Sequence, residues 1–548
     1  MKDDKSKSEL NYKDLTQSDK DLVAKLVKGG FSRREVLKLS MVTGVSLVAA
    51  EHLLFNGKAA IAATPKKGGS VRMSSNLHGP DDKLDPATFT STIDYTRGRA
   101  TYNSLIQHAN DLSPQPELAE SFEPNGNATE WTFKIRDGVT FHNGGKLTAD
   151  DVVYTMKRHQ GEDSTSVIKS VLASVKEWKK TGPMEVKAIL ESPNADLPTL
   201  LGLFQTKIVK NGTTGYTQKE DGSLEQNGTG PYIMESFQPG VKSVHTRNEN
   251  YWREGANLDA CEITAITDPV ARVNALISGD MDMVTQLEPN SFRQVESAKG
   301  VTLLSTPAAL QMGICCLKNS EPGSSDDFVK GMQYIQDRKR IVKRILKGKG
   351  SLGNDTPISP AHGKDWCSEL PQREYDPDKA KFHFKKSGYT EAELFVAPVS
   401  GGIEDICLTA QANCAKIGFN LKLKKVPTDG YWGAVWMKEP LNVVTWNMRP
   451  TANSQLGIQF GPGAAWNDTF WNNARMGELL AQSLAETDPA KRHAMYCEMQ
   501  TLVHNGSGMV IPAFSNINDG IADNVMGMPT VPLGQLGACE WPEFIWLA

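Results

Sequence analysis

The chain has 548 residues, of which 39% are hydrophobic and 23% are charged. This length exceeds what one hydrophobic core usually serves, so we expect two to four domains. The formal net charge is −4 without clustered Lys and Arg, and no uncharged apolar run reaches the roughly 18–20 residues that span a bilayer. These properties exclude channels, collagens, coiled coils and DNA-binding proteins, and we expect no nucleic-acid partner.

Residues 1–63 predict an export signal. Arg33 and Arg34 precede twelve uncharged residues, 39–50, and alanines at positions 60 and 62 offer the small side chains that a signal peptidase accepts. This order is typical of a twin-arginine signal. Because no cysteine precedes Cys261, we expect no lipid anchor, and the mature protein should lie free in the periplasm.

The first elements predicted after the signal are a strand over 70–74, a loop over 76–86 and a helix over 94–109. Apolar and polar side chains alternate over 131–136, as in a strand. The Asp-Gly pair that follows predicts a tight turn, so we expect a hairpin with 139–142 as its second strand.

Further helices alternate with strands in the rest of the chain. Thr148 with Asp151 three positions later predicts a helix start, and that helix should extend to about position 159. Residues 191–230, rich in Gly, Asn, Thr and Lys, should be surface excursions. The other predicted helices cover 272–279, 328–346, 376–387 and 477–505. With no linker between them, these elements predict a mixed α/β class with lobes made of non-contiguous segments.

The sequence lacks the common catalytic motifs. It has no Gly-x-Ser-x-Gly elbow, no His-Glu-x-x-His and no Walker loop. The Gly-x-Gly-x-x-Gly string at 348–353 follows a predicted helix instead of a strand, so we expect a helix end there and not a phosphate cradle. We therefore expect a protein that is not an enzyme and that carries no cofactor.

Eight cysteines lie from position 261 onward. No Cys-x-x-Cys pair exists, and the adjacent Cys315 and Cys316 suit neither a chelate nor an easy mutual disulfide. Cys407 and Cys414, seven apart on a predicted helix, could both face the core. We expect no metal site, and one or two disulfides whose pairing the spacing does not give.

Five of the eleven tryptophans lie between positions 432 and 471. Tryptophan combines a large apolar face with an N–H donor, so this concentration fits a ligand platform, and core packing is the alternative. We expect about two of the five to contact a ligand and the others to be structural.

Several stretches, taken together and in order, resemble the extracytoplasmic solute-binding proteins of peptide- and nickel-type ABC importers, bacterial solute-binding protein family 5. They are LDP at 84–86, YNSL at 102–105, PELA at 116–119, WTFKIRDGVTFHNG at 131–144, LTADDVVY at 147–154, GTGPY at 228–232 and YDPDKAK at 375–381. The resemblance covers nearly all of residues 68–515.

The resemblance implies an α/β fold, a two-lobed periplasmic-binding-protein clamp (type II-like) with an additional domain inserted in the N-terminal lobe. The implied segments are 64–96, 227–305 and 505–548 for the first lobe, 97–226 for the extra domain and 306–504 for the second lobe. It also implies that hinge closure engulfs a small-molecule or peptide ligand, and that the closed form docks on the membrane permease subunits of an ABC transporter. We expect a monomer.

One stretch, 444–451, departs from the peptide binders of this family, which commonly follow Gly-Trp with an Asp that holds the peptide ammonium. This chain keeps Trp446 but has Arg449 and Pro450 where acidic residues would lie, and its 398–402 loop lacks the arginine that dipeptide binders use. An arginine fork suits carboxylate or phosphate. We therefore expect Arg449 to bind an anionic group of the ligand, unless a neighbouring Asp or Glu pairs with it.

The other candidate ligand-binding residues follow from their positions in this architecture. They are Asn76, His78, Tyr95, Trp432 and Trp446. An oligosaccharide, favoured by the tryptophans, and an opine-like compound, favoured by Arg449, are the alternative ligands. Two alternative functions from other classes are considered. A secreted hydrolase would convert its ligand chemically, whereas a chaperone-like peptide holder would bind unfolded chains broadly and weakly.

Overall fold

The structure is a computed structural model, and it describes residues 65–76, 84–213, 227–428 and 430–548. Residues 67–548 form one compact unit. The predicted twin-arginine signal and His78 lie outside the described residues. Over the described ranges, no helix combines the length and the apolar character that a membrane crossing requires.

The described chain alternates strands and helices. The strands are β1 Ser70–Ser75, β2 Ile106–His108, β3 Pro114–Pro116, β4 Ala119–Pro124, β5 Glu130–Ile135, β6 Val175–Gly182, β7 Glu185–Leu190, β8 Tyr232–Gln238, β9 Lys242–Arg247, β10 Ala260–Ala265, β11 Met283–Val284, β12 Val301–Cys316, β13 Gly350–Leu352, β14 Glu391–Val396, β15 Asn420–Lys425, β16 Leu441–Trp446, β17 Met509–Ala522, β18 Val525–Met526 and β19 Trp546–Leu547. The α-helices are α1 Thr92–Thr101, α2 Ala149–Lys157, α3 Leu197–Leu200, α4 Pro269–Ser278, α5 Phe292–Ser297, α6 Asp326–Tyr334, α7 Arg338–Arg340, α8 Pro377–Ser387, α9 Ile403–Lys416, α10 Tyr431–Ala434, α11 Ala452–Phe460, α12 Ala474–Ala485, α13 Pro489–Gly506, α14 Gln535–Ala538 and α15 Trp541–Phe544.

A mixed sheet of eleven strands organises the fold, in the order β15-β14-β16-β12-β17-β11-β1-β10-β9-β8, with β13 also paired to β17. The two longest strands, β12 and β17, are antiparallel and are paired from Val301–Ala522 to Cys315–Met509. Their register shifts between Thr306 and Leu310. The two strands therefore connect the β14–β16 end of the sheet with the β1 and β8–β11 end, through a ribbon whose ladder is interrupted near its middle.

Separate hydrophobic cores lie along this sheet. Strands β14–β16 pack against α6, α8 and α9 in one core, and α11, α12 and α13 pack in a second core beside β12 and β16. Strands β1 and β10 share a third core with α1 and α15. Residues 105–208 form a fourth core around a small sheet of order β4-β5-β7-β6. Each apolar face is thus buried locally, as expected for several packed layers.

Several predicted elements are confirmed. Strand β1 and helices α4 and α8 lie where the sequence placed them. Thr148 caps α2, and the Asp151 carboxylate accepts a hydrogen bond from the Thr148 backbone N–H at 2.8 Å, which forms the predicted capping box. Cys407 and Cys414 are both fully buried on α9.

The predicted hairpin over 131–142 is wrong. Strand β5 pairs with β4 and β7, and residues 139–142 contribute an isolated bridge from Thr140 to Lys146. The Asp-Gly turn is real, since Gly138 has a φ of 80°. Strand β5, which precedes this turn, pairs instead with the longer strands β4 and β7. The local turn signal therefore does not decide which strands pair.

Helix lengths and one loop also differ from prediction. The helix expected over 94–109 ends at Thr101, and the one expected over 328–346 breaks after Tyr334, where Asp337 caps a new turn. The helix expected over 477–505 is two helices, since Asp488 caps α13. The segment 197–209, expected at the surface, is largely buried because it closes the core of the small sheet.

Candidate functional site

Arg449 and Tyr95 approach one another from distant parts of the chain. Arg449 follows the end of β16, and its backbone N–H donates to Gln455 Oε1 at 2.8 Å, which fixes the turn into α11. Tyr95 lies on α1, and its phenol interacts electrostatically with the Arg449 guanidinium. Two of the predicted site residues are therefore close enough to interact electrostatically.

The Tyr95 ring is held in place by an aromatic partner. It stacks on Phe204, with ring centroids 4.0 Å apart and an angle of 11° between the planes. Burial raises the pKa of Tyr95 to about 12, although hydrogen bonding from Gln205 and the charge of Arg449 act in the opposite direction. The phenol therefore stays neutral near neutral pH and can both donate and accept a hydrogen bond.

The Arg449 guanidinium is half-buried and lacks an acidic partner among the described residues. Burial lowers its pKa, and the neighbouring Tyr95 acts in the opposite direction. A partly desolvated cation without a nearby anion is costly, because lost hydration is not replaced by pairing. Within the described ranges, the Arg449 cation is thus partly desolvated without a carboxylate to pair with.

Trp446 and Trp436 share one buried carboxylate. Their indole N–H groups donate to the two oxygens of Asp468, at 2.6 Å and 2.5 Å. Asp468 is 1% exposed, and burial raises its pKa to about 7 while the two indole bonds act against that shift. The N–H of Trp446 is therefore occupied inside the protein, and its side chain, 8% exposed, is part of the core beside β12 and β16.

The remaining tryptophans divide between surface and core. Trp432 is 43% exposed and packs edge-on against Trp436, and Trp466 is 46% exposed with its ring 5.9 Å from that of Trp446. Trp471 is buried against Phe460. Trp432, Trp436, Trp446 and Trp466 therefore form a linked aromatic group with two exposed members.

Of the other predicted site residues, Asn76 is half-buried just after β1 and accepts a 3.5 Å contact from Ser75 Oγ. Within the described part of the chain it shares no hydrogen bond with Tyr95 or Arg449. His78 lies outside that part. The assignment of all six predicted residues to a ligand site stays a prediction.

A cavity of about 590 Å³ lies beside the 398–402 loop. Gly401 and Gly402 line it, together with the exposed side chains of Arg340, Arg344 and Lys347. Because water screens these exposed cations, each would attract an anionic ligand more weakly than the half-buried Arg449 would. The cavity does not include Arg449 or Tyr95.

Sequence reasoning missed three neighbours of the site. Phe204 and Gln205 support Tyr95 from a segment expected to be a surface loop, and no periodic pattern distinguishes them. Asp468 lies between Trp466 and Phe470, so its place inside the aromatic concentration was a usable signal.

Comparisons with known proteins identify the family. The family model of bacterial extracellular solute-binding proteins, family 5 Middle, matches residues 113–467. The probable D,D-dipeptide-binding periplasmic protein DdpA of Escherichia coli K12 is 25% identical over 449 residues, which cover 78% of this chain and 85% of DdpA.

Solved structures share the fold. The periplasmic binding protein DppA of Helicobacter pylori, in complex with the peptide STSA, has a TM-score of 0.72 at 19% identity and covers 88% of this chain and 98% of its own. AgaA of Agrobacterium tumefaciens R10, in complex with agropinic acid, has a TM-score of 0.70 at 21% identity and covers 88% and 99%. The mixed α/β architecture is that of the two-lobed periplasmic binding proteins, and the chain belongs to the bacterial extracellular solute-binding proteins of family 5.

Proposed function

We propose that this protein is the substrate-binding component of an ABC importer, and that it captures a peptide or peptide-like solute with an anionic group. Membership in family 5 and the peptide-binding names of its relatives support the transport role. The half-buried Arg449 beside Tyr95, without an acidic partner in the described chain, supports the anionic group. A carboxylate or phosphate there would receive a fixed fork of donors.

Capture would take place by closure of two lobes. We assign 64–96, 227–305 and 505–548 to one lobe, 306–504 to the other and 97–226 to an extra domain. The register shift between Thr306 and Leu310 is our candidate hinge, because interrupted pairing lets a ribbon bend. Export by the twin-arginine route, a free periplasmic monomer and delivery to a membrane permease complete the proposal.

An opine-like ligand is the second candidate. An amino-acid conjugate with carboxylates would also suit Arg449, and AgaA, which shares the fold, is described in complex with agropinic acid. Both candidate ligands would bind Arg449 through an anionic group. They differ in the other chemical groups of the ligand, which would occupy the rest of the cleft.

A thermal-shift screen tests the proposal. The purified protein would be heated with peptides, acidic amino-acid conjugates, neutral oligosaccharides and metal ions. A ligand at a hundred times its dissociation constant should stabilise the fold by about 2.7 kcal/mol. We expect saturable stabilisation by anionic compounds and recovery of the compound unchanged by mass spectrometry. Stabilisation by neutral sugars alone, or conversion of the compound, would contradict the proposal.

A further inference from the structure

A disulfide between Cys367 and Cys497 has two further polar side chains at its sulfurs. Glu369 Oε2 lies 3.5 Å from each of the two Sγ atoms. His493 Nε2 lies 3.5 Å from Cys497 Sγ and 3.5 Å from the same Glu369 oxygen. A disulfide needs neither a base nor a carboxylate beside it, so this grouping calls for a separate explanation.

The imidazole of His493 is oriented by its other nitrogen. His493 Nδ1 lies 2.7 Å from the Lys364 carbonyl oxygen. A carbonyl can only accept, so Nδ1 carries a proton, and Nε2 is the nitrogen that faces Cys497 Sγ and Glu369 and that can bind a metal ion in its unprotonated form. Histidine ligands in metal sites are held in this way, with the second ring N–H donated to a backbone carbonyl.

The local backbone holds the groups together from two segments. His493 and Cys497 are four residues apart on α13, so they share one helix face. Cys367 and Glu369 follow the short 3₁₀ segment Pro360–Asp365, and the Cys367 backbone N–H donates to Gln500 Oε1 at 3.1 Å. The same helix therefore supplies two of the groups and anchors the backbone that carries the other two.

Four of the six edges of a tetrahedral coordination shell match the distances between these groups. Metal–ligand bonds of about 2.0–2.3 Å give tetrahedral edges of roughly 3.3–3.8 Å, and the four separations above are each 3.5 Å. The fifth edge, between the two sulfurs, opens only when the disulfide is reduced, and the sixth requires the His493 ring, which lies at Cys497 Sγ, to approach Cys367 Sγ. Two sulfurs, one imidazole nitrogen and one carboxylate oxygen suit Zn²⁺. Glu369 is exposed and Cys497 is half-buried, so an ion can reach the site from solvent.

We propose that Cys367, Cys497, His493 and Glu369 form a redox-controlled site for Zn²⁺ or a similar divalent ion. With both cysteines reduced, two thiols lose their protons to solvent and their thiolates bind the ion. A disulfide oxidant then takes two electrons from the thiolates and becomes two thiols with two protons from solvent, while the Cys367–Cys497 bond forms and the ion is released. The absence of a Cys-x-x-Cys pair, on which we expected no metal, does not exclude a site assembled from two segments.

Cobalt titration of the full protein tests this site. The protein would be reduced with a phosphine, desalted without air and titrated with Co²⁺. We expect one equivalent to produce thiolate-to-cobalt charge-transfer and tetrahedral bands, which Zn²⁺ then abolishes. The oxidised protein should produce neither band. His493→Ala should weaken Co²⁺ binding more than 10-fold, because loss of a mere supporting partner already costs about 10–100-fold, and Glu369→Gln should weaken it as well.

Two controls separate this site from the rest of the chain. The double variant Cys367→Ser/Cys497→Ser keeps the six buried free cysteines and should lose the bands. His383→Ala, on α8, should leave them unchanged. Bands that are missing from the reduced protein, that survive in the double serine variant, or that His493→Ala and Glu369→Gln do not weaken would overturn the proposal.

Discussion

Arg449 is the residue on which the ligand assignment depends. Its guanidinium is half-buried and interacts electrostatically with the neutral phenol of Tyr95. The sequence indicated Arg449 as a candidate only through the resemblance to peptide binders, and its role in ligand binding stays a proposal. It could not identify Phe204, since stacking on Tyr95 depends on the packing of a segment that has loop composition.

A second single residue, Asp468, predicts that the stability of the fold depends on pH. Burial raises the pKa of its carboxyl from 3.8 to about 7. The folded state therefore favours the protonated form, so this contribution to stability is complete below pH 3.8 and is lost as the pH rises through 7. Asp468→Asn does not titrate, and it keeps one acceptor oxygen for the two indoles of Trp436 and Trp446, so the loss of the second hydrogen bond adds a cost that does not depend on pH.

The measurement compares the free energy of unfolding of the two proteins from pH 4 to pH 8. The wild-type value should fall relative to the Asp468→Asn value, by at most about 4 kcal/mol at 1.36 kcal/mol for each pKa unit. Tryptophan emission of the wild type should titrate near pH 7, and that of the variant should not. A stability difference independent of pH would contradict the buried, protonatable carboxyl.

Among the elements, a buried ion pair joins several segments. Asp355 is fully buried and contacts the guanidinium groups of Arg338, at 2.7 Å, and Arg373, at 2.5 Å. Its Oδ1 also accepts the Ile511 N–H of β17 at 2.9 Å. Burial opposes ionisation, but the two arginines outweigh it and hold the pKa of Asp355 below its usual value.

Asp355→Asn should therefore destabilise the fold strongly, by about 3–5 kcal/mol, because two buried guanidinium groups lose their anion. Chemical denaturation measures this loss. Asp150→Asn is the control, since Asp150 pairs with Lys180 at the surface and its loss should cost no more than about 1 kcal/mol. Equal effects of the two substitutions would show that Asp355 does not hold these segments together.

How far an element follows from the sequence depends on where its partners lie. Helix α2 was predictable because Thr148 and Asp151, which begin it, are three residues apart. The pairing of β5 with β7 was not predictable in this way, because β7 lies more than 50 residues later, while the Asp-Gly turn next to β5 favours a local hairpin. The disulfide joins cysteines 130 residues apart, which spacing alone does not pair.

At the scale of the whole molecule, our central claim is that the protein is a two-lobed solute-binding clamp. In this clamp, an anionic group of the ligand binds Arg449. The β12–β17 ribbon connects the two ends of the main sheet, so closure at its interrupted register would bring residues of both ends around a solute. Burial of the guanidinium behind the ligand would then strengthen its preference for a carboxylate over a neutral group.

Isothermal titration tests that claim most directly, with the best anionic ligand from the screen and its neutral amide analogue. Wild-type protein should bind the anion at least about 30-fold more tightly than the amide, which corresponds to the 2 kcal/mol or more expected for a desolvated charge pair. Arg449→Ala should lose that preference, and Arg475→Ala, whose guanidinium already pairs with Glu478 and Glu498, should keep it. An Arg449→Ala protein that still prefers the anion as strongly as wild type would contradict the account.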